Sequence, residues 1–471
     1  MEKYDLLSDK AHGFINPQKI EEVLAKANSN SANNSLAKDI LAKAGAMKGL
    51  TPEEATILLL NQNEEITSLI FALAEKVKNS YYGNRIVLFA PLYLSNYCIN
   101  SCIYCPYHVS NKQMPRKKMT QEEIKQEVIA LQNMGHKRLA IEAGEDPIHN
   151  SLEYILESID TIYNIRHEAG VIRRVNVNIA ATSVENYKRL NNANIGTYIL
   201  FQETYNQADY EKLHPKGPKS DYSYHTLAMD RAMEAGIEDV GLGVLFGLHN
   251  YAYEFLALLM HAEHLEAKYG AGPHTISVPR LRPADGINMD AFANALPDEI
   301  FLKIVALLRI SVPYTGLIIS TRENEVIREN VLKIGVSQIS GGSKTSVGGY
   351  ATENLQNSSQ FEVADNRTLD EIVRWLMQLG YVPSFCTSCY SKGRQGQDFM
   401  EICKKQQIHN FCTPNALLTL REYLNNYASD ETYKIGRLLL INELNKLNPF
   451  SFACMRERMD VLDRTGVVKF F

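Results

Sequence analysis

The sequence has no long apolar run, no excess of positive charge and no recognisable secretory leader. No apolar stretch approaches the ~18 residues that a membrane-spanning helix requires. Its 49 Lys and Arg residues are outnumbered by 54 Asp and Glu residues, which argues against nucleic-acid and membrane-surface roles because those favour basic faces. The opening MEKYDLLSDKAHGF contains acids and no apolar core segment, unlike a signal peptide. We therefore expect a cytoplasmic protein with no nucleic-acid or membrane partner.

Cysteine is scarce outside two clusters. The chain has eight cysteines, of which Cys403 and Cys454 are isolated and suit small buried apolar positions. The clustered cysteines are Cys98, Cys102 and Cys105 in one group and Cys386, Cys389 and Cys412 in the other. Thiols stay reduced in the cytoplasm, so clustered cysteines there indicate metal ligation before disulfide bonds.

Alternating strand and helix patterns predict the fold. Residues 1–83 have helical character, including a capping box at Thr51-Pro52-Glu53-Glu54. From residue 86 onward, short apolar runs alternate with helical patterns. The expected strands are 86–95, 138–145, 174–181, 197–204, 239–247, 274–283, 315–322 and 336–343. Near-continuous apolar strands of this kind form parallel sheets covered on both faces, and eight such units predict a (β/α)8 barrel. An open doubly wound sheet is the less favoured alternative, because no Gly-rich dinucleotide fingerprint follows the first strand.

We divide the chain into three parts. A helical N-terminal segment covers 1–83, an α/β barrel of the (β/α)8 type covers 84–370, and a helical C-terminal extension with the second cysteine cluster covers 371–471. Active sites of such barrels are built at the carboxyl ends of the strands. Polar residues at these ends are Cys98, Glu145, Glu203, Arg280, Arg282, Arg322, Ser340 and Ser343.

The first triad has the pattern C-x3-C-x2-C on the loop that leaves the first strand. The same spacing fits one face of a helix, but Pro91 and Pro106 favour a loop. Thiolates are the usual ligands of iron–sulfur clusters, and a cubane cluster normally takes four of them. A structural zinc site also takes four ligands. Three cysteines therefore leave one coordination position open.

This spacing, with Tyr104 directly before the last cysteine, resembles the radical S-adenosylmethionine (SAM) enzymes. The resemblance implies a [4Fe-4S] cluster whose open iron binds the amino and carboxylate groups of SAM. It implies that one electron from the cluster cleaves SAM to a 5′-deoxyadenosyl radical, which abstracts a hydrogen atom from the substrate. A fourth protein ligand would block this binding.

The same resemblance implies roles for residues around SAM. Gly144 and Glu145 would contact its amino group, Glu203 would supply a further carboxylate contact, and Tyr104 would pack near its adenine. Relatives often carry an arginine at the position that holds His225 here, and Arg231 is the nearest candidate to replace it. The partner of the SAM carboxylate therefore stays open.

The second triad has the pattern C-x2-C-x22-C, and His409 lies three residues before Cys412. On spacing alone, Cys386, Cys389, His409 and Cys412 describe a structural zinc site. The alternative is a second iron–sulfur cluster that is again held by only three cysteines.

The whole pattern resembles the HydG family of [FeFe]-hydrogenase maturases over about residues 80–445. The stretches that carry the resemblance include NRIVLFAPLYLSNYC, MGHKRLAIEAGEDP, GPHTISVPRLRPA and QIHNFC. It implies cleavage of the Cα–Cβ bond of L-tyrosine to p-cresol and dehydroglycine. It further implies formation of CO and cyanide on an extra iron of an auxiliary cluster, with transfer to the hydrogenase or its maturation scaffold. His274 would help to hold that iron, although the residues alone favour a histidine in a helix-to-strand loop.

An amino acid substrate needs a guanidinium group for its carboxylate. We predict that Arg322 and Ser340 bind it, with Arg280 as a further catalytic candidate at a neighbouring strand end. One alternative function is that of 2-iminoacetate synthase, the tyrosine lyase of thiamine thiazole biosynthesis, which lacks the second triad. Another is a non-enzymatic scaffold or metallochaperone with a structural zinc.

Overall fold

The computed structural model describes residues 3–352, 358–391, 395–405 and 409–471. Its strands are β1 (Arg85–Ser95), β2 (Arg138–Ala143), β3 (Arg166–His167), β4 (Gly170–Val171), β5 (Arg174–Asn178), β6 (Tyr198–Ile199), β7 (Val240–Gly243), β8 (Thr275–Ser277), β9 (Gly316–Ile319), β10 (Gln338–Ser340) and β11 (Val382–Ser384). The helices before β5 are α1 (Ala11–Phe14), α2 (Pro17–Asn30), α3 (Asn34–Ala44), α4 (Pro52–Leu60), α5 (Glu64–Tyr82), α6 (Gln121–Asn133) and α7 (Leu152–Asn164).

The remaining helices follow the later barrel strands or form the C-terminal region. Those between β5 and β10 are α8 (Val184–Asn192), α9 (Gln207–Leu213), α10 (Tyr222–Thr226), α11 (Ala228–Glu234), α12 (Tyr251–Tyr269), α13 (Asp298–Ser311) and α14 (Glu325–Ile334). Those after β10 are α15 (Leu369–Gln378), α16 (Ser388–Ser391), α17 (Gly396–Lys404), α18 (His409–Asn426), α19 (Asp430–Leu444) and α20 (Pro449–Thr465). Short 3-10 turns lie at Pro218–Ser220 and Met289–Ala291.

A closed parallel barrel forms the centre of the molecule. The strands β1, β2, β5, β6, β7, β8, β9 and β10 pair in this order, and β10 pairs back with β1. The closure confirms the predicted (β/α)8 barrel and shows that the open doubly wound alternative is wrong. Several strands are shorter than predicted, most clearly β6, although the chain beyond Ile199 stays beside β7, where the amides of Leu200 and Gln202 donate to the Gly241 and Gly243 carbonyls.

Alternation along each strand divides its side chains between the outer helices and the barrel axis. On β2, Leu139 and Ile141 join the main hydrophobic core. Arg138, Ala140 and Glu142 face the interior, where they line cavities at successive heights. The inward positions therefore run from the amino end of the barrel, called the lower mouth, to the carboxyl end, called the upper mouth.

The N-terminal segment is helical, as predicted, and packs on the barrel helices. At the start of α4, Thr51 Oγ1 accepts a hydrogen bond from the Glu54 amide, and the Glu54 side chain accepts one from the Thr51 amide, completing the predicted capping box. The helix α5 packs against α13 and ends at Gly83, whose φ of 61° is a conformation that glycine tolerates. No helix in the described ranges is long and apolar enough to cross a membrane.

The C-terminal region is attached to the lower mouth by a strand that the sequence analysis did not predict. β11 pairs in parallel with the amino end of β1, with Arg85 opposite Val382 and Val87 opposite Ser384. The backbone amide of Phe385 donates to Thr419 Oγ1 of α18 at 3.1 Å. Since Cys386 follows β11 directly, this pairing delivers the second cysteine triad to the lower mouth.

Candidate functional site

The first cysteine triad lies in the loop after β1, at the upper mouth. Cys98, Cys102 and Cys105 line one cavity of about 170 Å³, called the upper cavity. The loop is held in place by backbone bonds, including Ile103 N–H to the Leu213 carbonyl at 3.0 Å. Burial and the neighbouring Cys98 together raise the pKa of Cys105 to about 12. The Cys105 thiol therefore stays neutral at pH 7 unless a bound cation stabilises the thiolate.

The donor set fits the cluster that the sequence implies. Within the described residues, no three His, Cys, Asp or Glu side chains form a group that could hold a single metal ion. A cubane cluster makes a different demand, because each cysteine binds a different iron and the sulfurs surround a larger volume. Three thiols that border one cavity meet this demand and leave one iron for an exogenous ligand.

The residues expected to contact the SAM amino group lie beside the triad. A Cβ on Gly144 would be 2.3 Å from the Tyr97 carbonyl oxygen, so the close approach of the two loops requires glycine. Glu145 Oε2 accepts a hydrogen bond of 2.6 Å from Asn100 Nδ2. Burial raises the pKa of Glu145, while Asn100 opposes the shift. Asn100 also reaches within 3.8 Å of Cys98 Sγ, a connection that the sequence analysis missed.

Glu203 lines the upper cavity together with a lysine that was not predicted. Lys219 Nζ donates to Glu203 Oε1 at 2.9 Å. Burial alone would lower the pKa of Lys219, but Glu203 and Cys102 raise it, so the ammonium stays charged. Glu203 has a φ of 68°, which is uncommon for a residue with a Cβ and is typical of functional sites. This cation and carboxylate give the cavity that contains the triad a polar wall.

Tyr104 also lines the upper cavity, where its hydroxyl donates to His214 Nε2 at 2.8 Å. Nδ1 of His214 donates to the Tyr210 carbonyl at 2.8 Å, which fixes the imidazole tautomer. Burial lowers the pKa of His214 to about 3 and keeps it neutral. The ring of Tyr104 is thereby anchored next to Cys105.

The two candidates for the SAM carboxylate occupy different places. His225 lines the upper cavity, and its Nε2 lies 2.9 Å from the Phe201 carbonyl. Arg231 instead donates to the carbonyls of Thr182 and Tyr224, at 2.9 and 2.7 Å, with its guanidinium stacked on the Tyr224 ring. Of these two, His225 is the one that borders the cavity.

Of the three residues predicted for the substrate, Arg322 and Ser340 line a common cavity and Arg280 does not. Arg322 lines the upper cavity and a second cavity of about 100 Å³ beneath it, called the middle cavity. Its guanidinium lies 3.6 Å from the centroid of the Phe361 ring. Ser340 lines the middle cavity, and its Oγ accepts from the Thr321 amide at 3.2 Å. Arg280 lies in an ion-pair cluster, donating from Nε to Glu323 at 2.9 Å and from Nη1 to Asp298 at 2.6 Å.

Polar residues at the boundary of the upper and middle cavities were missed. Tyr93, Glu142 and Asn178 line both cavities with Arg322. Tyr93 donates its hydroxyl proton to Gln360 at 2.8 Å. Burial raises the pKa of Glu142 to about 8, against the opposing effects of Arg322 and Asn178. The sequence does point to Glu142, because a carboxyl group at an inward position of an apolar strand is costly to bury without a partner.

The second triad lies at the lower mouth. Cys386, Cys389 and Cys412 line a cavity of about 70 Å³, called the lower cavity. Arg138 donates to the Cys386 carbonyl at 2.9 Å, and the Ser388 amide lies 3.4 Å from Cys386 Sγ. Burial raises the pKa of Cys386 to about 12, with Cys412 adding to the shift. Three thiols around one cavity again fit an iron–sulfur cluster, whereas the His409 side chain of the zinc alternative lies outside the described residues.

His274 lines the same lower cavity as the triad. Its Nδ1 is 3.3 Å from Asp239 Oδ1, and its ring packs against Phe399 with centroids 4.8 Å apart. Burial lowers the pKa of His274, so the imidazole is neutral at pH 7. A neutral imidazole is the form that binds a metal ion.

The three cavities lie in sequence along the barrel axis. β1 contributes Val87 to the lower cavity, Phe89 to the middle cavity and Tyr93 to the boundary above it. On β10, Gln338 lines the lower cavity and Ser340 the middle one. The two cysteine triads therefore occupy opposite mouths of one barrel, with polar and apolar side chains between them.

Comparison with known proteins agrees with this architecture. The radical SAM superfamily model matches residues 92–260, and the Biotin and Thiamin Synthesis associated domain model matches residues 277–382. A crystal structure of HydG, a maturase of the [FeFe]-hydrogenase, is 52% identical with a TM-score of 0.94, covering 97% of this chain and 100% of that one. The HydG structure from Carboxydothermus hydrogenoformans is 40% identical with a TM-score of 0.84, covering 96% and 99%. The 2-iminoacetate synthase of Salmonella typhimurium is 30% identical over 311 residues, covering 66% of this chain and 80% of that protein.

Proposed function

We propose that this chain, which belongs to the HydG family of [FeFe]-hydrogenase maturases, is a radical SAM lyase that cleaves the Cα–Cβ bond of L-tyrosine. The observation that carries the proposal is the placement of two cysteine triads at opposite mouths of one barrel. The products of the cleavage are p-cresol and dehydroglycine. Such a barrel provides one site for the cleavage and another for the processing of the fragment.

At the upper mouth, each group has a distinct task. Cys98, Cys102 and Cys105 would hold the [4Fe-4S] cluster, which with SAM supplies the hydrogen-abstracting radical. Gly144 and Glu145, together with the Glu203–Lys219 pair, would position SAM. Arg322 would bind the substrate carboxylate through its planar fork of donors. The enclosing barrel wall keeps water away from the reacting atoms.

At the lower mouth, we propose that Cys386, Cys389 and Cys412 hold an auxiliary cluster and that His274 helps to hold an extra iron. The dehydroglycine fragment would reach this site through the middle cavity, sheltered from solvent. The auxiliary site would supply the metal at which the fragment ends as CO and cyanide. These ligands would then pass to the hydrogenase or its maturation scaffold for H-cluster assembly.

The second triad argues against the 2-iminoacetate synthase alternative. The two family models end at residues 260 and 382, before Cys386. The two HydG structures cover 97% and 96% of the chain, so their similarity extends into the C-terminal region. A tyrosine lyase that only released the imine would have no need for cysteines at the lower mouth.

The direct test is anaerobic incubation of the reconstituted protein with SAM, a one-electron reductant and L-tyrosine. We expect 5′-deoxyadenosine and p-cresol in equal amounts, together with CO captured by deoxyhaemoglobin. Absence of p-cresol from protein with an intact first cluster would contradict the lyase function.

Metal analysis distinguishes the lyase from a scaffold with a structural zinc. Roughly eight or nine irons and no zinc per chain would support two iron–sulfur clusters, whereas about four irons and one zinc would contradict the second cluster.

A further inference from the structure

Glu142 is an acid inside the barrel whose position differs from that of the other carboxyl groups of the upper cavity. Glu145 is bonded to Asn100, and Glu203 is bonded to Lys219. Glu142 lies at the boundary of the upper and middle cavities, in register with Tyr93 on the neighbouring strand. Arg322 lines the same boundary. One cationic side chain and one acidic side chain therefore border the space where the substrate is expected.

An amino acid carries the complementary pair of charges on one carbon atom. Its carboxylate suits a guanidinium group, and its ammonium suits a carboxylate. If Arg322 binds the substrate carboxylate, the ammonium extends toward an acidic partner at the same depth in the barrel. Asn178 lies opposite Glu142 on the neighbouring strand and opposes the rise in the pKa of that carboxyl group.

We propose, resting on the lyase function above, that Glu142 binds the α-ammonium group of the substrate and accepts one of its protons before the Cα–Cβ bond is cleaved. In this step one N–H bond breaks heterolytically and its electron pair stays on nitrogen. The proton forms an O–H bond on Glu142, so a neutral amine and a neutral carboxylic acid result. No electron enters or leaves, and no further reactant is required.

The neutral amine is the form that radical cleavage needs. An ammonium nitrogen has no lone pair with which to stabilise an adjacent radical or the double bond of an imine product. Burial raises the pKa of Glu142 to about 8, which is far above that of an ordinary carboxyl group and closer to the range in which amino groups titrate. A smaller difference in pKa between acid and base lowers the free energy that the proton transfer requires.

The ionisable groups that face Glu142 keep their charge state between pH 7 and 9, so Glu142 is the group of this region that titrates there. They are Tyr93 on β1, Tyr107 in the first-triad loop and Arg322 after β9. Burial raises the pKa of both tyrosines well above its usual value, so they stay neutral at pH 7 to 9. Arg322 stays cationic, as arginine does in proteins.

Glu142→Gln tests the proposal because it keeps the shape of the side chain and removes its charge and basicity. We expect the rate of p-cresol formation to fall at least 100-fold with iron content and SAM binding unchanged. Glu142→Asp, which keeps a carboxylate, should recover part of the rate. The matched control is Glu263→Gln. Glu263 is a partly buried acid of α12, and burial raises its pKa to about 7. A Gln variant whose rate stays within threefold of wild type would overturn the proposal.

Binding gives a readout that does not depend on turnover. Calorimetry of the SAM-loaded holoenzyme compares L-tyrosine with 3-(4-hydroxyphenyl)propanoate, which lacks the amine. We expect wild type to prefer tyrosine at least tenfold and Glu142→Gln to lose that preference. Equal affinity of wild type for the two ligands would overturn the ammonium contact even if the Gln variant failed to fold.

The pH dependence of the reaction rate distinguishes a carboxyl group that accepts a proton from one with only a structural role. In wild type, the rate should fall as pH decreases through the pKa of Glu142, because the protonated form cannot accept a proton. The residual rate of Glu142→Gln should lack this acidic limb, and an unchanged limb would contradict the proposal. Wild-type p-cresol formation tests the lyase function separately, so a wild type that makes none refutes that function, whereas an active Gln variant refutes only the role of Glu142.

Discussion

At the scale of single residues, the substrate hypothesis depends on which arginine borders the cavity. Arg322 lies beside Phe361 at the boundary of the upper and middle cavities. Arg280, predicted with it, is bonded to Glu323 and Asp298. Because the two side chains are chemically identical, we expect substitutions at the two positions to differ only through the different surroundings.

We therefore expect Arg322→Lys to raise the KM for L-tyrosine at least tenfold. Lysine keeps the charge but loses the bidentate fork. Iron content and SAM affinity should stay at wild-type levels. The matched variant Arg280→Lys should lower the thermal midpoint through its broken ion pairs and change the KM less than threefold. A larger effect on KM from Arg280→Lys than from Arg322→Lys would reverse the assignment.

Asn100 gives a second prediction at this scale. Its Nδ2 donates to Glu145 at 2.6 Å, and its Oδ1 accepts from the Lys219 amide at 2.9 Å. Asn100→Ala removes both bonds, and leaving a buried polar group without its partner costs about 1–3 kcal/mol. We expect SAM to bind at least tenfold more weakly, as measured by equilibrium dialysis of the reconstituted protein. Unchanged SAM affinity would show that Asn100 does not position Glu145.

The contacts of such residues could not be predicted from the sequence. The cysteine triads were identified because their spacing within a few residues is itself the signal. Asn100, Lys219 and Glu142 acquire their positions from contacts between distant segments, and their residue types are common on any surface. The alternation of β2 places Glu142 inward, but only the closed barrel shows which partners it meets.

At the scale of elements, the upper site depends on close contact between the loops that follow β1 and β2. Gly144 lies where a Cβ would collide with the Tyr97 carbonyl at 2.3 Å and approach Cys98 Cβ at 3.0 Å. The Tyr97 backbone cannot move away without displacing Cys98, the next residue in the chain. The position of the first triad is therefore set by a neighbouring strand as well as by its own loop.

Gly144→Ala should displace the first-triad loop and reduce iron loading at the upper site. We expect at least a threefold loss of the reduced [4Fe-4S] signal measured by electron paramagnetic resonance. Gly380→Ala is the control, because its φ of 81° imposes strain while a Cβ there meets nothing within 4 Å. That control should cost about 1 kcal/mol of folding free energy and leave iron loading unchanged. Equal iron loss in both variants would point to general destabilisation.

The elements also show what could be predicted from local patterns. The eight barrel strands and the capping box at Thr51 follow from residue order alone, and the structure contains them. β11 was missed because three residues that include Pro383 carry no strand pattern. Its pairing with β1 is a tertiary contact, and it is this contact that brings the C-terminal region to the lower mouth.

At the scale of the whole molecule, the C-terminal region must dock firmly for the two triads to share one barrel. Glu422 of α18 receives two hydrogen bonds from Arg173, at 2.8 and 2.5 Å, and lies 3.6 Å from Lys137 Nζ. Lys137 and Glu422 are almost fully buried. Glu422→Gln leaves two cations next to a neutral amide, which is strongly destabilising for a buried pair, about 3–5 kcal/mol.

We expect Glu422→Gln to lower the thermal midpoint and to lose iron from the lower site before the upper one. Mössbauer spectra and iron counts after mild heating would follow the two sites separately. Glu431→Gln is the control, since its contact with Arg374 lies at the surface and contributes little. Loss of iron from both sites in parallel would show that the molecule unfolds as one unit.

The central claim is that one barrel performs two separate tasks at its two mouths. The most direct measurement compares p-cresol and CO release by the Cys386→Ala/Cys389→Ala double variant, with Cys454→Ala as the control for loss of an unclustered cysteine. The two-site scheme predicts p-cresol at near wild-type rate, no CO above background, and about half the wild-type iron. Loss of p-cresol from a variant whose upper cluster is intact, or CO release at the wild-type rate, would contradict it.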